Sequence, residues 1–145
     1  MRQPNFYSAV FAIIRNDKNE ILFQKRQNTG FRDGQFQLPS GHVEWSESIK
    51  DSIIRELQEE LWIGVLENDI EIAHIAHVIS SERVYFNIYA NILKYVWDIV
   101  NLESEKCSEI GFYTFQEIEN NPDFQYEIET LKSIEMWYIF SEKMI

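Results

Sequence analysis

The stretch Arg55-Glu56-Leu57-Gln58-Glu59-Glu60-Leu61-Trp62-Ile63, with Gly41 and Glu47 upstream of it, decides how this chain is read. On a helix, Glu56, Glu59 and Glu60 stand at i, i+3 and i+4, and side chains so spaced are neighbours. At about 100° per residue the three carboxylates share an arc of roughly 100°. Each like-charged pair costs about a few tenths of a kcal/mol. A hard divalent cation with oxygen ligands removes that repulsion, and Mg²⁺ is the usual one where phosphates are handled. The stripe therefore reads as a metal platform for chemistry on phosphates. For an arbitrary chain a solvated helix face would be the better reading.

The surroundings make the helix credible. Ile49, Ile53, Leu57 and Leu61 recur every four residues, with Ile54 beside them, which predicts an amphipathic helix from about Ser46 to Trp62. Ser46 and Ser48 are N-cap candidates, and Gly64 offers a left-handed stop. Before the helix, Phe6 to Arg15 and Glu20 to Arg26 read as strands joined at Asn16-Asp17-Lys18-Asn19, which predicts a hairpin. Gln27 to Gly34 reads as a loop and Gln35 to Leu38 as a short strand broken by Pro39-Ser40-Gly41. After the helix, Ile70 to Ile79 and Val84 to Val96 read as strands, Asp98 to Ser108 as a polar loop and Ile110 to Phe115 as a last strand. Gln116 to Glu119 suits a helical turn. Tyr126 to about Met144 reads as a closing helix with Ile128, Leu131, Ile134, Met136, Tyr138 and Ile139 on its apolar face. Strands, helix, strands, helix predict an α/β fold with a helix on each face of a mixed sheet.

A chain of 145 residues fits one domain over 1–145, and 45% apolar residues with 4 Trp, 7 Tyr and 10 Phe can fill a core. The formal charge of −11 argues against a nucleic-acid duplex or an anionic membrane surface as main partner. A small polyphosphate remains compatible when metal ions screen the contact. Cys107 is the sole cysteine, so no internal disulfide forms and a reducing cytoplasm is the expected home. Met1-Arg2-Gln3-Pro4-Asn5 opens no signal peptide, and no apolar run approaches a membrane span.

Gly41, then Glu47 after five residues, then Arg55-Glu56-Leu57-Gln58-Glu59-Glu60 after seven more and Ile63 beyond, resembles the Nudix box, Gly-x5-Glu-x7-Arg-Glu-U-x-Glu-Glu-x-Gly-U, where U is a bulky aliphatic. Phe36-Gln37-Leu38-Pro39-Ser40-Gly41-His42-Val43-Glu44 is similar to the family's approach to that box. The box spans 41–63, and the likeness to bacterial MutT-type members extends through Asn101-Leu102-Glu103-Ser104-Glu105-Lys106-Cys107. Two positions depart from the pattern: Trp62 replaces the family's glycine, and Ser40 replaces a second glycine found in many members. A tryptophan is poorly suited to positive φ, so Gly64 is expected to end the helix instead.

The resemblance implies an α/β/α sandwich of the Nudix type and a Mg²⁺-dependent pyrophosphohydrolase, with Mn²⁺ as a substitute ion. It implies direct metal ligation by Glu59 and Glu60, with Glu56 as a ligand or the acceptor of the attacking water's proton. The Gly41 carbonyl approaches the metal, and Arg55 pairs with Glu47 to brace loop against helix. A further acid comes from the loop before the last strand; Glu103, Glu105 and Glu109 compete, with Glu109 preferred. Arg26, at the end of the second strand, suits a phosphate contact, since Arg binds phosphate bidentately. The implied substrate is a nucleoside diphosphate linked to another moiety, first a (d)NTP, standard or oxidised, giving NMP and pyrophosphate. ADP-ribose or a nucleotide sugar is the rival, although Ala76 to Ser81 lacks the proline that ADP-ribose members tend to carry. A non-catalytic nucleotide sensor is the reading from another class. The number of metal ions and the oligomeric state, a homodimer included, stay open. His74, His77 and Cys107 are expected to be structural, and Phe124 with Tyr126 are weaker candidates for a base pocket.

Overall fold

The computed structural model describes residues 5–145; the segment Met1 to Pro4, read above as part of a chain start without a leader, lies outside them. Strand β1 (Asn5–Ile14) organises the rest. Its period-two alternation sends Val10, Ala12 and Ile14 into one core and Ile13 into another. Helix α1 (Ile49–Leu61) covers the first core with Ile53, Leu57 and Leu61. Helices α2 (Phe115–Asn120) and α3 (Gln125–Glu135) cover the second with Ile118 and Leu131. The expected arrangement of helices on either side of mixed sheet is present.

The sheet is split in two. One sheet runs β4-β1-β6-β5-β8, with β4 at Ser40–His42, β5 at Ile70–Ile79, β6 at Arg83–Ile92 and β8 at Phe140–Met144. In it β1 runs parallel to β6 and β5 parallel to β8, while β1–β4 and β5–β6 are antiparallel. The other sheet is antiparallel, β3-β2-β7, with β2 at Ile21–Arg26, β3 at Phe36–Gln37 and β7 at Cys107–Tyr113.

Several expectations are corrected here. The hairpin of β1 with β2 does not form: β4 and β6 occupy both edges of β1, and only the bridge Arg15↔Ile21 joins it to β2. The short strand β3 does end ahead of Pro39, at Gln37, but Ser40 and Gly41 are not loop: the Pro39 carbonyl accepts from the Ala12 amide at 2.9 Å, and β4 begins at Ser40 in the other sheet. Strand β6 stops at Ile92, four residues short of the expected end, and Val96 keeps only a bridge to Gly64.

Helix α1 starts as read, with Ser48 Oγ accepting from the Asp51 amide at 3.1 Å. It ends differently. Trp62 itself takes the left-handed conformation (φ 62, ψ 23), so the missing glycine is replaced in kind and Gly64 is not the cap. The fully buried Ile63 requires this reversal, because it turns into the first core directly after the helix.

Strand β7 begins three residues early, and Thr114 caps α2 through the Glu117 amide at 3.1 Å. It is not the last strand. The expected helix over Tyr126–Met144 stops at Glu135, Trp137 turns the chain with φ 64, and β8 follows. The free edge of β5 outcompetes helix there: Ile75 donates its amide to Ile139 O at 2.9 Å, and buried His74 reaches Tyr138 O at 2.7 Å and Ser141 Oγ at 2.8 Å. No helix among the described residues is long and apolar enough to cross a membrane.

Candidate metal and phosphate site

The buried stripe of α1 fixes where its acids go. With Ile53, Leu57 and Leu61 in the core, Glu56 and Glu60 turn toward β4, and Glu59 stays at the rim. Glu60 is 8% exposed, whereas the Glu59 side chain is 58% exposed. Glu56 lies against Gly41, where an added Cβ would overlap its carboxyl group. Gly41 is thus required for close approach.

Arg55 braces this assembly. Its Nε donates to Glu47 Oε2 at 2.7 Å and its Nη2 to Glu47 Oε1 at 3.0 Å, a bidentate pair. Nη2 also reaches His42 O at 3.1 Å, tying α1 to the end of β4. Nη1 donates to Glu56 Oε1 at 2.8 Å and Glu59 Oε2 at 3.2 Å. Hydrogen bonds from Arg55 and from the Glu44 amide pull the Glu47 carboxyl down to about 2.

The opposite shift marks Glu60. Burial, then the charges of Glu56 and Glu103, push its carboxyl up to about 9. Burial likewise raises Glu56, against the pull of Arg55. The two acids bear directly on each other, and Glu60 Oε2 is buried with no partner among the described residues. Among those residues no three acidic, histidine or cysteine side chains are spaced to enclose a cation as they stand, since Arg55 holds Glu59 to itself. The donor set nevertheless fits one. Two abutting carboxyls, one orphaned buried oxygen and an adjacent glycine backbone are hard oxygen ligands that a divalent cation would satisfy.

The competing fourth acids separate cleanly. The Leu102 amide donates to Glu60 O at 3.0 Å, and this docks the Asn101–Lys106 loop so that the Glu103 charge bears on Glu60. Glu109 is instead exposed on β7, its carboxylate accepting from the Tyr113 hydroxyl at 2.9 Å. Glu105 is exposed, its carbonyl taken by Asn28. The structure brings Glu103 to the glutamate pair and leaves Glu109 and Glu105 away from it.

Gly41, Glu60 and Glu103 form part of the wall of a cavity of about 990 Å³. Arg26 lines it too, held by Phe31 O (2.7 Å), Gln37 Oε1 (2.6 Å) and Thr29 Oγ1 (3.1 Å). All three acceptors are neutral, while the charges of Asp33 and Glu60 also bear on it. Ser40 accepts from Gln37 Nε2, and its backbone weakly favours the charged form of Glu60. Sequence reading missed Arg32, Asn87 and Glu127, which also line the cavity. Asn87 interrupts an apolar strand and Glu127 interrupts the face of α3; a polar residue inside a periodic apolar pattern was the available signal. His74 and Cys107 are buried, and Cys107 is also part of the cavity wall. Phe124 is core, stacked on Phe36 at 4.3 Å, whereas Tyr126 does line the cavity.

Comparison with known proteins identifies the family and the fold. The NUDIX domain model matches residues 6–134. The ADP-ribose pyrophosphatase of Methanocaldococcus jannaschii is 46% identical over 123 residues, covering 85% of this chain and 69% of the relative. The 8-oxo-dGTP diphosphatase of Escherichia coli is 37% identical over 51 residues, covering 35% of this chain and 40% of the relative. The crystal structure of a MutT protein from Methanosarcina mazei Go1 superposes with a TM-score of 0.80 at 24% identity, over 94% of this chain and 97% of that one. The match to the domain model spans β1 to α3, takes in the braced glutamates of α1, and establishes that the chain belongs to the NUDIX domain family.

Proposed function

We propose that this chain, as one domain over residues 1–145, hydrolyses the pyrophosphate linkage of a nucleoside diphosphate derivative with Mg²⁺, or Mn²⁺ in its place. One observation carries the reading: Glu60, which has a buried oxygen without a partner and bears on the Glu56 carboxyl that abuts Gly41, lines with Gly41 a cavity that Arg26 also lines. Gly41 O, Glu56, Glu59 and Glu60 would hold the metal, with Glu103 rather than Glu109 as the added acid. The bound ion would neutralise phosphate oxygens and acidify a water.

The chain's own groups do the rest. Arg26 binds and orients the phosphate chain, because its guanidinium is anchored by neutral partners. Arg55 and Glu47 fix the position of Glu56. Glu56 accepts the proton of the attacking water while the water oxygen bonds to phosphorus, and the anhydride P–O bond breaks with its electron pair leaving on the departing phosphate. The first substrate is a (d)NTP, giving NMP and pyrophosphate. Lys25, Arg26, Arg32, Arg83, Lys106 and Lys143 line the cavity together with five glutamates, so a polyphosphate there would rely on the bound ion as well as on these cations. ADP-ribose is the second reading, supported by the 46% identity to the archaeal ADP-ribose pyrophosphatase.

A panel of (d)NTPs, ADP-ribose and nucleotide sugars, incubated with Mg²⁺ in ¹⁸O-water and resolved by chromatography, tests this. Release of pyrophosphate from triphosphates supports the first reading, and AMP with ribose phosphate from ADP-ribose the second. A folded protein that cleaves nothing, yet binds nucleotide equally well after Glu60→Gln, would be a sensor.

A further inference from the structure

The wall of the cavity built by α3 carries an acid that the metal chemistry does not use. Glu127 lines the cavity and is 4% exposed, and its Oε2 has no partner among the described residues. The charged and titratable groups that bear on it are Arg32 from the loop after β2, Lys143 from β8 and the buried Tyr89 from β6. None of them satisfies that oxygen. The Arg32 guanidinium lies instead 3.8 Å from the centre of the Tyr126 ring and 4.8 Å from that of Phe31. On β6, Asn87 lines the same cavity, and its Oδ1 is also buried without a partner.

A buried acceptor left unpaired is costly, and natural structures supply a partner where they can. Both orphans are acceptors on the wall of a cavity large enough for a nucleotide. Asn87 Oδ1 lacks an N–H donor, and the Glu127 carboxyl, even as the neutral acid that burial favours in the empty cavity, keeps an acceptor oxygen for one. A nucleobase brings such donors in its exocyclic amino group, and a flat base also suits the Arg32–Tyr126–Phe31 surface beside Glu127. We infer that Glu127 and Asn87 are specificity residues that accept the exocyclic amino group of a nucleobase, so that amino-bearing bases are selected over analogues lacking it. This rests on the nucleotide substrate proposed above and deepens it. It requires no change in the hydrolytic step: the two residues touch the base and leave the anhydride to α1 and Arg26.

The test separates base recognition from turnover. Calorimetric titration of the intact protein with Mg²⁺ compares AMP with purine riboside 5′-monophosphate, and GMP with IMP; each pair differs by one amino group. The wild type is expected to bind the amino-bearing member of at least one pair about tenfold more tightly, since a site with paired acceptors rejects the ligand that leaves them unpaired. Glu127→Leu should bring that ratio to within about twofold, as should Asn87→Leu, whereas Glu127→Gln, which keeps an acceptor oxygen, should retain most of it. Should the leucine variant fail to fold, Glu127→Ala gives the same readout. Equal binding within both pairs by the wild type, or a ratio that survives Glu127→Leu, overturns the inference. If the amino preference holds but no nucleotide is hydrolysed, the catalytic reading falls and the base subsite stands.

Discussion

Glu60 and Gly41 carry predictions that belong to single residues. Glu60 is a buried acid whose orphaned oxygen costs stability in the metal-free protein. Glu60→Gln is therefore expected to lower kcat by about 10²–10³, while its melting temperature in chelator holds or rises. The increase in melting temperature that Mg²⁺ gives the wild type should vanish in this variant. Enzyme assay and thermal melts with and without Mg²⁺ check both halves. Gly41→Ala should act by a different route. Its methyl group displaces the Glu56 carboxyl, so activity falls with little change in the fold seen by circular dichroism. Much of this residue-scale picture was legible beforehand. The spacing of Gly41, Glu47, Arg55 and the three glutamates pointed to the candidate site, and the Arg55–Glu47 pair formed as read. Which acid stands nearest the glutamate pair was not legible. Glu103, Glu105 and Glu109 look alike along the chain, and only the docking of Leu102 on the end of α1 distinguishes them.

At the scale of elements, the α1 terminus and the C-terminal strand show what local pattern reveals and what it leaves out. Trp62 ends α1 in the left-handed region, and its ring lies 6.4 Å from Trp97. Gly64 serves that junction by size: a Cβ there would come within 2.8 Å of the Trp97 ring. Gly64→Ala should destabilise by about 1–3 kcal/mol through overpacking. Urea denaturation measures the loss, and a changed tryptophan spectrum would place it at this contact. The helix itself was legible because its four-residue period and the Ser48 cap are local signals. Strand β5 was legible for the same reason, down to its ends. Strand β8 was not, because apolar residues from Tyr126 to Met144 satisfy a helical period while the deciding partner, the open edge of β5, lies far away in sequence. The hairpin failed likewise: nothing near β2 reveals that both edges of β1 are filled from elsewhere.

For the molecule as a whole, charge and proton uptake make two measurable claims. The protein carries a formal −11, and six cationic side chains line one cavity against five glutamates there. Substrate attraction there should weaken with ionic strength, so KM for a triphosphate is expected to rise between low and physiological salt with kcat nearly constant. Burial pushes the Glu127 carboxyl from 4.5 up to about 8. Between those values the folded state holds a proton that the unfolded chain has lost, so this group's contribution to stability declines as pH rises through that window. The slope is up to about 1.4 kcal/mol per pH unit. Glu127→Gln cannot titrate, so its stability relative to the wild type should grow from pH 5 to pH 8 in chelator. A difference that does not vary with pH would mean that Glu127 is not held as the neutral acid.

The pairing of β1 with β6 sets a schedule for biosynthesis. Asn5 lies beside Arg83 and Ile14 beside Ile92, in parallel register, so the first strand made gains its main neighbour only after everything between them has been translated. During that interval the nascent chain exposes Val10, Ala12 and Ile14, together with an unfilled ladder of amides and carbonyls, to whatever else is in the cell. Long-range parallel pairing is slow to close and open to aggregation while it waits. Chaperone dependence on the ribosome, and recovery from inclusion bodies at high expression rates, are where that delay would be felt.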